Sequence, residues 1–296
     1  MTVHPADIGA HRFAHQAMAT EFEIFCVHPD GEYAQQAAWA AFDLLDRMES
    51  ELSRFIENSD ISRINALGPG ERVRVCRWTM ECLRIARWAH HETAGAFDIS
   101  LGSGLESLQL APWDSTVLAA TGAVRLDLGG IGKGYAVDRM AEVLRDWDIH
   151  QALLHGGFSS VLAMDAPAGL EGWPLSLSVP AGDAFETVQA KRRVFSASGV
   201  RKGEHIVDPR SGQPAKNRLA AWASAELDRG ALSASASPSA VAEAFSTAFM
   251  ILPAGEVEDI CERHPGLEAW LLGPVSQPVH IASKEVRMTS CVRNSD

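Results

Sequence analysis

The alternation of apolar and polar side chains in residues 21–27 predicts a β-strand near the start of the chain. Phe22, Ile24 and Cys26 would share one face, while acidic side chains occupy the other. A period of two places alternate side chains on opposite faces of a sheet, so this segment suits a strand that is buried on one side. A second apolar segment, 150–157, predicts another strand that runs into a Gly-Gly turn.

Apolar side chains recur every three or four residues in other segments, which predicts amphipathic helices. The longest pattern covers residues 31–52, and Asp30 in front of it suits an N-cap. A second pattern covers 78–89, and a third covers roughly 134–147. The apolar stripes are Tyr33, Ala37, Ala41, Leu44, Leu45, Met48 and Leu52; Trp78, Cys82, Ile85, Ala86 and Ala89; and Val137, Met140, Ala141 and Leu144.

Strand and helix patterns mix along the rest of the chain without a strict alternation. A short strand is predicted at 71–76, and further strands at LSLSVP, KRRVFSAS, EAWLLG and VHIASKEV. Helices are predicted after Pro238 and near 255–264. Because no repeat and no linker interrupts these patterns, we expect one domain over residues 1–296, of the α+β class, with mixed or antiparallel sheets and packed helices.

Composition narrows the functional classes. The 296 residues include 46% hydrophobic side chains and carry a net charge of −12. Such a charge opposes binding to duplex nucleic acid, which depends on Lys and Arg neutralising phosphates. The five cysteines form no CxxC pair, which indicates free thiols in a reducing compartment. No apolar run of 18 residues occurs, so we expect a cytoplasmic protein that does not enter a membrane.

The segment LDLGGIGKGYAVDRM, residues 126–140, is the first candidate for chemistry. Glycines that open a helix leave backbone N–H groups free, and these groups together with the helix dipole favour an anion such as phosphate. The segment does not match GxxxxGK[ST], and Tyr135 interrupts a match to GxGxxG. Two interpretations stay open: an anion-binding loop, or a tight strand-to-helix turn in which Lys133 is solvated.

Six motifs together resemble the ApbE family of flavin transferases (FAD:protein FMN transferases). The resemblance spans roughly residues 16–250, and the order of the motifs is that of the family. The motifs are QAMATEF (16–22), ELSRFIENSDISRIN (51–65), GAFDISLG (95–102), DLGGIGKGYAVD (127–138), SGVRKGEHIVDPRSGQP (198–214) and VAEAFSTAF (241–249).

The resemblance implies an ApbE-like fold and a Mg²⁺-dependent transferase that uses FAD as its substrate. The FMN half of FAD would move to a Ser or Thr hydroxyl of an acceptor flavoprotein, and AMP would leave. Two alternatives stay open. The chain could bind or deliver FAD without transfer, or it could be a Mg²⁺-dependent FAD pyrophosphatase in which water replaces the acceptor hydroxyl.

The same resemblance implies a set of site residues. Asp127 and Lys133 would contact the nucleotide, and the Gly130 carbonyl, Glu243 and Thr247 would hold Mg²⁺. Glu243 and Thr247 are four residues apart on one predicted helix, so they share a face. Asp127 could instead build a turn, and Glu243 could instead be a surface charge. If the metal assignment is right, the turn at 127–134 and these two side chains must converge in space.

The remaining implied residues lie in three other motifs. His205 would handle the proton of the acceptor hydroxyl, because imidazole titrates near neutrality. Asp208 would assist it, or would only build the turn with the proline that follows. The positions implied to contact FAD are Met18, Phe55, Ala96, Phe97 and Asp98; the apolar ones could also be plain core residues.

The chain departs from the family pattern at several positions, which include Ile99 in place of a proline and Ser100 in place of a threonine. Ala19 replaces a glycine, and Glu243 replaces an aspartate. Phe158 stands where the family usually has the aspartate of a GGD motif. The loss of a carboxylate near phosphates and a metal changes the local electrostatics, which keeps open the alternative that binds FAD without transfer.

Overall fold

The computed structural model describes residues 9–122, 124–178, 184–200, 206–216, 218–227, 237–274 and 278–283. The α-helices in these ranges are α1 (Gly31–Leu52), α2 (Asp60–Asn65), α3 (Arg77–Glu92), α4 (Gly132–Asp146), α5 (Pro238–Phe249) and α6 (Ala254–Arg263). The strands are β1 (His11–Ala17), β2 (Thr20–Cys26), β3 (Arg72–Arg74), β4 (Leu108–Ala111), β5 (Thr116–Ala119), β6 (Ala152–Gly156), β7 (Ser160–Ala163), β8 (Trp173–Ser178), β9 (Ala184–Ala190), β10 (Arg193–Gly199), β11 (Val207–Asp208), β12 (Gln213–Pro214), β13 (Ala220–Glu226), β14 (Leu267–Leu272) and β15 (Val279–Ala282).

A sheet of eight strands forms the centre of the fold. Its order is β1-β2-β6-β7-β10-β13-β14-β15, and every neighbouring pair is antiparallel. Three smaller sheets contain β3-β5-β4, β8-β9 and β11-β12. Helices packed on an antiparallel sheet confirm the prediction of the α+β class.

Both faces of the large sheet are covered. Helices α1, α4 and α5 pack on one face, and the β8–β9 hairpin packs on the other. Strand β10 shows the two-residue period directly, because Val194 belongs to the helical core and its neighbour Phe195 belongs to the core under the hairpin. Helix α5 is buried around nearly its whole circumference, so its polar groups must find partners inside the protein.

Most predicted elements are present with small shifts at their ends. The strand predicted at 21–27 is β2, and the helix predicted at 134–147 is α4, which begins two residues earlier at Gly132. Strand β1 was not predicted. It lies at the edge of the sheet, and its half-buried residues include His11, Phe13 and His15, so its apolar contrast is weak.

The segment that leads into α4 is held by α2. The Asn65 side chain donates to the Leu126 carbonyl at 3.0 Å and accepts from the Leu126 N–H at 2.6 Å. The N–H and the carbonyl of Leu126 are therefore both bonded to one side chain, as they would be to a residue of a neighbouring strand. These two bonds fix the backbone one residue before Asp127. Among the described residues, no helix combines the length and the apolar character that crossing a bilayer requires. None of the four described cysteines is in a disulfide bond.

Candidate functional site

The glycine turn between residues 127 and 134 is shaped by Asp127. One carboxylate oxygen, Oδ1, accepts the Gly129 N–H at 2.8 Å, and the other, Oδ2, lies 2.8 Å from Nε of Arg54. The Asp127 N–H donates to the Ile99 carbonyl at 2.8 Å. Asp127 therefore has the turn-building role that the sequence left open. Arg54 was not predicted, although it lies inside the LSRF part of a recognised motif.

Helix α5 meets this turn through Glu243. Its carboxylate forms a close ion pair with Nζ of Lys133 through Oε1 and accepts the Gly134 N–H at 2.7 Å through Oε2. Lys133 also donates to the Gly129 carbonyl at 3.2 Å. Glu243 is buried, so it is not the surface charge that one interpretation suggested. The two segments lie together as predicted, but Lys133 contacts the acid itself.

Thr247 lies one helical turn beyond Glu243, beside Gly130. A Cβ atom added to Gly130 would stand 3.7 Å from Oγ1 of Thr247 and 3.2 Å from the Phe97 ring. The space around Gly130 is therefore small, because the side chains of Thr247 and Phe97 both lie close to its backbone. Thr247 donates to the Glu243 carbonyl at 3.1 Å.

A group of hydroxyls next to Thr247 was missed by the sequence analysis. Ser198 Oγ lies 3.2 Å from Thr247 Oγ1 and 2.9 Å from Ser246 Oγ. Ser246 Oγ also lies 3.4 Å from Ser196 Oγ. Ser196 and Ser198 are two residues apart on β10, so they lie on the same face of the strand. The sequence signal that could have indicated this group is the SG motif, because Ser198 is its first residue.

The loop at 95–102 packs against the turn that contains Asp208. A Cβ added to Gly102 would stand 3.0 Å from the Pro209 carbonyl oxygen, and one added to Gly95 would stand 3.6 Å from Cγ of Arg210. Three recognised motifs thus meet at the 95–102 loop, because the ring of Phe97 in this loop would lie 3.2 Å from a Cβ added to Gly130.

The side chains of Asp98 and Asp208 both form hydrogen bonds within their own loops. The buried Asp98 carboxylate accepts from the Ser100 N–H and hydroxyl, each at 2.7 Å, and from the Gly102 N–H at 2.9 Å. Asp208 is bound at both oxygens by the Arg210 guanidinium, at 2.9 and 3.0 Å. The hydrogen bonds from Arg210 lower the pKa of Asp208, so it is an ionised turn residue.

The other positions predicted to contact FAD differ in exposure. Ala96 and Phe97 are buried, whereas Phe55 is 80% exposed, with the Arg54 guanidinium 4.3 Å from its ring centroid. Met18 lies in the β1–β2 turn with φ 49°, and Ala19 follows with φ 57°. A left-handed pair is the geometry of a tight hairpin turn, which explains why the family has glycine at the position of Ala19.

Phe158 is fully exposed in the β6–β7 turn. That turn is tied to the β1–β2 hairpin by a 2.9 Å bond from the Gly157 N–H to the Glu21 carbonyl. A Cβ on Gly156 would lie 3.6 Å from Cβ of Lys133, so the turn borders the start of α4. His205, the predicted proton acceptor, lies outside the described residues.

The residues predicted to hold Mg²⁺ belong to two segments that lie together, but the Glu243 carboxylate is already bonded to Lys133 and Gly134. Within the described ranges, no group of three His, Cys, Asp or Glu side chains is arranged to hold a metal ion. The chain offers one carboxylate, the Thr247 hydroxyl and the Gly130 carbonyl. Mg²⁺ accepts such hard oxygens and commonly completes its shell with water and substrate phosphates. The donor set fits this ion on the condition that Lys133 leaves Glu243.

A cavity of about 370 Å³ lies elsewhere, along the later turns of α4. Its lining includes Glu142, Arg145, His150 and Arg192, together with Asp138 of α4 and Pro238 at the start of α5. It does not include the glycine turn, Glu243 or Thr247. The group of recognised motifs, and not this cavity, is the candidate site.

The architecture is shared with solved flavin transferases. The ApbE protein of Thermotoga maritima superposes with a TM-score of 0.79 at 20% identity, covering 94% of this chain and 98% of that one. The flavin transferase ApbE of Vibrio cholerae gives 0.78 at 18% identity, covering 94% and 99%. At these identities the likeness establishes the fold.

Sequence comparison establishes the family. The profile of the ApbE family matches residues 18–108 and 103–271, so this chain belongs to the ApbE family. A curated relative from Klebsiella pneumoniae, named FAD:protein FMN transferase, is 26% identical over 230 residues, which are 63% of this chain and 70% of the relative.

Proposed function

We propose that this chain is a Mg²⁺-dependent FAD:protein FMN transferase that flavinylates a Ser or Thr hydroxyl of an acceptor flavoprotein and releases AMP. The observation that carries the proposal is that the glycine turn, which includes Lys133, meets the Glu243–Thr247 face of α5. Membership of the ApbE family and the activity for which curated relatives are named support the same reaction class.

The reaction needs groups that hold a pyrophosphate and offset its charge. In the proposed complex, Lys133 turns from Glu243 to a phosphate oxygen, where a lysine acts as a point charge. Glu243, Thr247 and the Gly130 carbonyl would then hold Mg²⁺, which offsets negative charge on the phosphates. Asp127, held by Arg54, keeps the turn in place, and the positions predicted to contact the rest of FAD are Met18, Phe55, Ala96, Phe97 and Asp98.

Transfer forms one bond and breaks one bond. The acceptor oxygen attacks the phosphorus of the FMN half, and the bond from that phosphorus to the bridging oxygen breaks, so AMP leaves with the electron pair. The hydroxyl proton goes to His205 in this proposal, which carries that role over from the resemblance. Asp208 is bound by Arg210 and shapes a turn whose next residues, Pro209 and Arg210, approach the 95–102 loop.

A second candidate function is FAD binding without transfer. Two observations favour it: Phe158 replaces a carboxylate beside the start of α4, and both oxygens of Glu243 have partners inside the protein. A third candidate, hydrolysis of FAD to FMN and AMP, needs only that water take the place of the acceptor hydroxyl. The cytoplasmic location and the identity of the acceptor stay predictions from the sequence.

One assay separates these functions. The protein is incubated with FAD and Mg²⁺, with and without an acceptor domain that carries a Ser or Thr in a flavinylation motif, and AMP, free FMN and protein-bound flavin fluorescence are followed. Transfer predicts AMP only together with labelled acceptor. AMP with free FMN indicates hydrolysis, and bound FAD without AMP indicates a binding protein. A His205→Ala variant should slow transfer while FAD affinity is retained; a loss of affinity alone would assign His205 to binding.

A further inference from the structure

Helix α5 begins without a cap of its own. Pro238 is its first residue, and the Ser237 hydroxyl in front of it accepts no bond from the helix. The next residues, Ser239 and Ala240, are buried. Their backbone N–H groups belong to the first turn, which has no carbonyl partners within the helix. A buried N–H without an acceptor is destabilising, so this helix start requires a group from another element.

Asp138 of α4 supplies that group. Its carboxylate accepts the Ser239 N–H at 3.0 Å and the Ala240 N–H at 3.3 Å, and the Ser237 hydroxyl donates to it at short range. Asp138 is only 4% exposed. A negative charge at a helix N-terminus also interacts favourably with the helix dipole. Asp138 therefore caps α5 from a different helix.

The same contact sets the register between α4 and α5. Gly134 and Asp138 are one turn apart on α4, and Ser239 and Glu243 are one turn apart on α5. A Cβ on Gly134 would stand only 2.3 Å from the Ser239 carbonyl oxygen, so the helices touch at backbone distance there. Since the Gly134 N–H also donates to Glu243, Asp138 and Gly134 fix two successive levels of the interface.

We infer that Asp138 is the positioning residue that holds Glu243 and Thr247 at the glycine turn. A slip of α5 by one residue moves each side chain by about 1.5 Å along the axis and turns it by about 100°. Either movement removes Glu243 from Lys133 and Gly134. The inference rests on the proposed function for its consequence, but the positioning itself is a property of the folded chain.

The carboxylate suits this position better than an amide. Oδ2 of Asp138 accepts all three bonds, and Oδ1 lies 3.2 Å from the Ser239 N. An asparagine that keeps its oxygen at the Oδ2 position directs its N–H₂ donor at the Ser239 N–H, which is a donor as well. Burial raises the pKa of Asp138 to about 6, because the ionised carboxylate is desolvated inside the protein. The ionised form therefore carries a cost in folding free energy. Asp138→Asn removes that cost together with the negative charge at the helix start and the acceptor at Oδ1, and its effect on positioning can therefore exceed its effect on stability.

The test compares Asp138→Asn with Glu268→Gln. Glu268 on β14 is another buried carboxylate, which is bound by Arg193 of β10 and His280 of β15 and lies outside the candidate site. Its variant controls for the loss of a buried charge. Two quantities are measured at pH 7.5 for each protein. One is the affinity for FAD in the presence of Mn²⁺, from quenching of flavin fluorescence. The other is the energetic coupling between Lys133 and Glu243. It is obtained from the unfolding equilibrium constants of a double-mutant cycle at these two residues.

The expected result is that Asp138→Asn weakens FAD affinity with Mn²⁺ at least tenfold and reduces the Lys133–Glu243 coupling at least tenfold. Glu268→Gln should leave both within twofold of the wild type. Equal losses in the two variants, or an unchanged coupling in Asp138→Asn, would overturn the inference. If the wild type binds neither FAD nor Mn²⁺, the proposed function is wrong, while the coupling still decides whether Asp138 positions α5.

Discussion

Replacing Lys133 by methionine tests whether Glu243 is an ion-pair partner at the glycine turn. The variant keeps the length of the side chain and removes its charge. The Glu243 side chain is 5% exposed and that of Lys133 is 21% exposed, so the variant leaves the more deeply buried charge alone. Removing one partner of a buried pair costs about 3–5 kcal/mol. The Gly134 N–H remains as a partner, so we expect the lower end, about 3 kcal/mol.

Equilibrium unfolding in urea at pH 7.5 measures this cost, with three variants side by side. Glu243→Gln should cost less, about 1–2 kcal/mol, because the freed ammonium can reach water and the amide oxygen can still accept from Gly134. The double variant Lys133→Met/Glu243→Gln should be more stable than Lys133→Met alone, because no buried charge is left unpaired. If Lys133→Met costs under 1 kcal/mol, or if the double variant is the less stable of the two, the pairing is wrong.

The same variants report on the metal. In Lys133→Met the carboxylate lacks a cation, so Mg²⁺ without FAD should stabilise this variant more than the wild type. Binding to the folded state alone at 100 times the dissociation constant contributes about 2.7 kcal/mol. Lys133→Met/Glu243→Gln is the control and should not respond to Mg²⁺. An equal response in all three proteins would place the metal elsewhere.

Three further predictions concern residues that position the site. Gly134→Ala should lower the free energy of unfolding by about 1–3 kcal/mol, because its Cβ would stand 2.3 Å from the Ser239 carbonyl; an unchanged urea midpoint would show that α4 and α5 are not in backbone contact. Ala19→Gly should raise stability by about 1 kcal/mol, since φ at Ala19 is 57°; Ala17→Gly in β1 is the control and should lower it. Burial raises the pKa of Asp138 to about 6, so the folded state holds this proton where the unfolded state has lost it, and the stability contribution falls as pH rises from about 4 to 6. The difference in unfolding free energy between wild type and Asp138→Asn should therefore shrink by about 3 kcal/mol over that range, and a constant difference would contradict the buried charge.

The fold was largely predictable where side chains have strong contrast. Strand β2 alternates Phe22 and Ile24 with glutamates, and both the strand and its buried face follow from that pattern. Strand β1 shows no such contrast, because an edge strand with half-buried histidines resembles a loop in its pattern of polarity. Only its pairing with β2 makes it a strand.

The site was predictable as a set of positions and less so as a set of contacts. The motifs indicated that the glycine turn and Glu243 meet, and they do. Lys133 bonds to Glu243 although the two residues are 110 positions apart in the sequence. This contact depends on how α4 and α5 pack, and no local sequence pattern predicts that packing. Asp138 ends the recognised motif at 127–138, but the sequence analysis assigned it no role, because that role appears only when the uncapped start of α5 is placed beside it.

A crystal structure with FAD and Mn²⁺ bound tests the central claim most directly. We predict one anomalous peak held by Glu243, Thr247 and the Gly130 carbonyl, with the pyrophosphate beside it and Lys133 on a phosphate oxygen. A pyrophosphate bound away from residues 127–134, or a metal peak with Lys133 still on Glu243, would contradict the account.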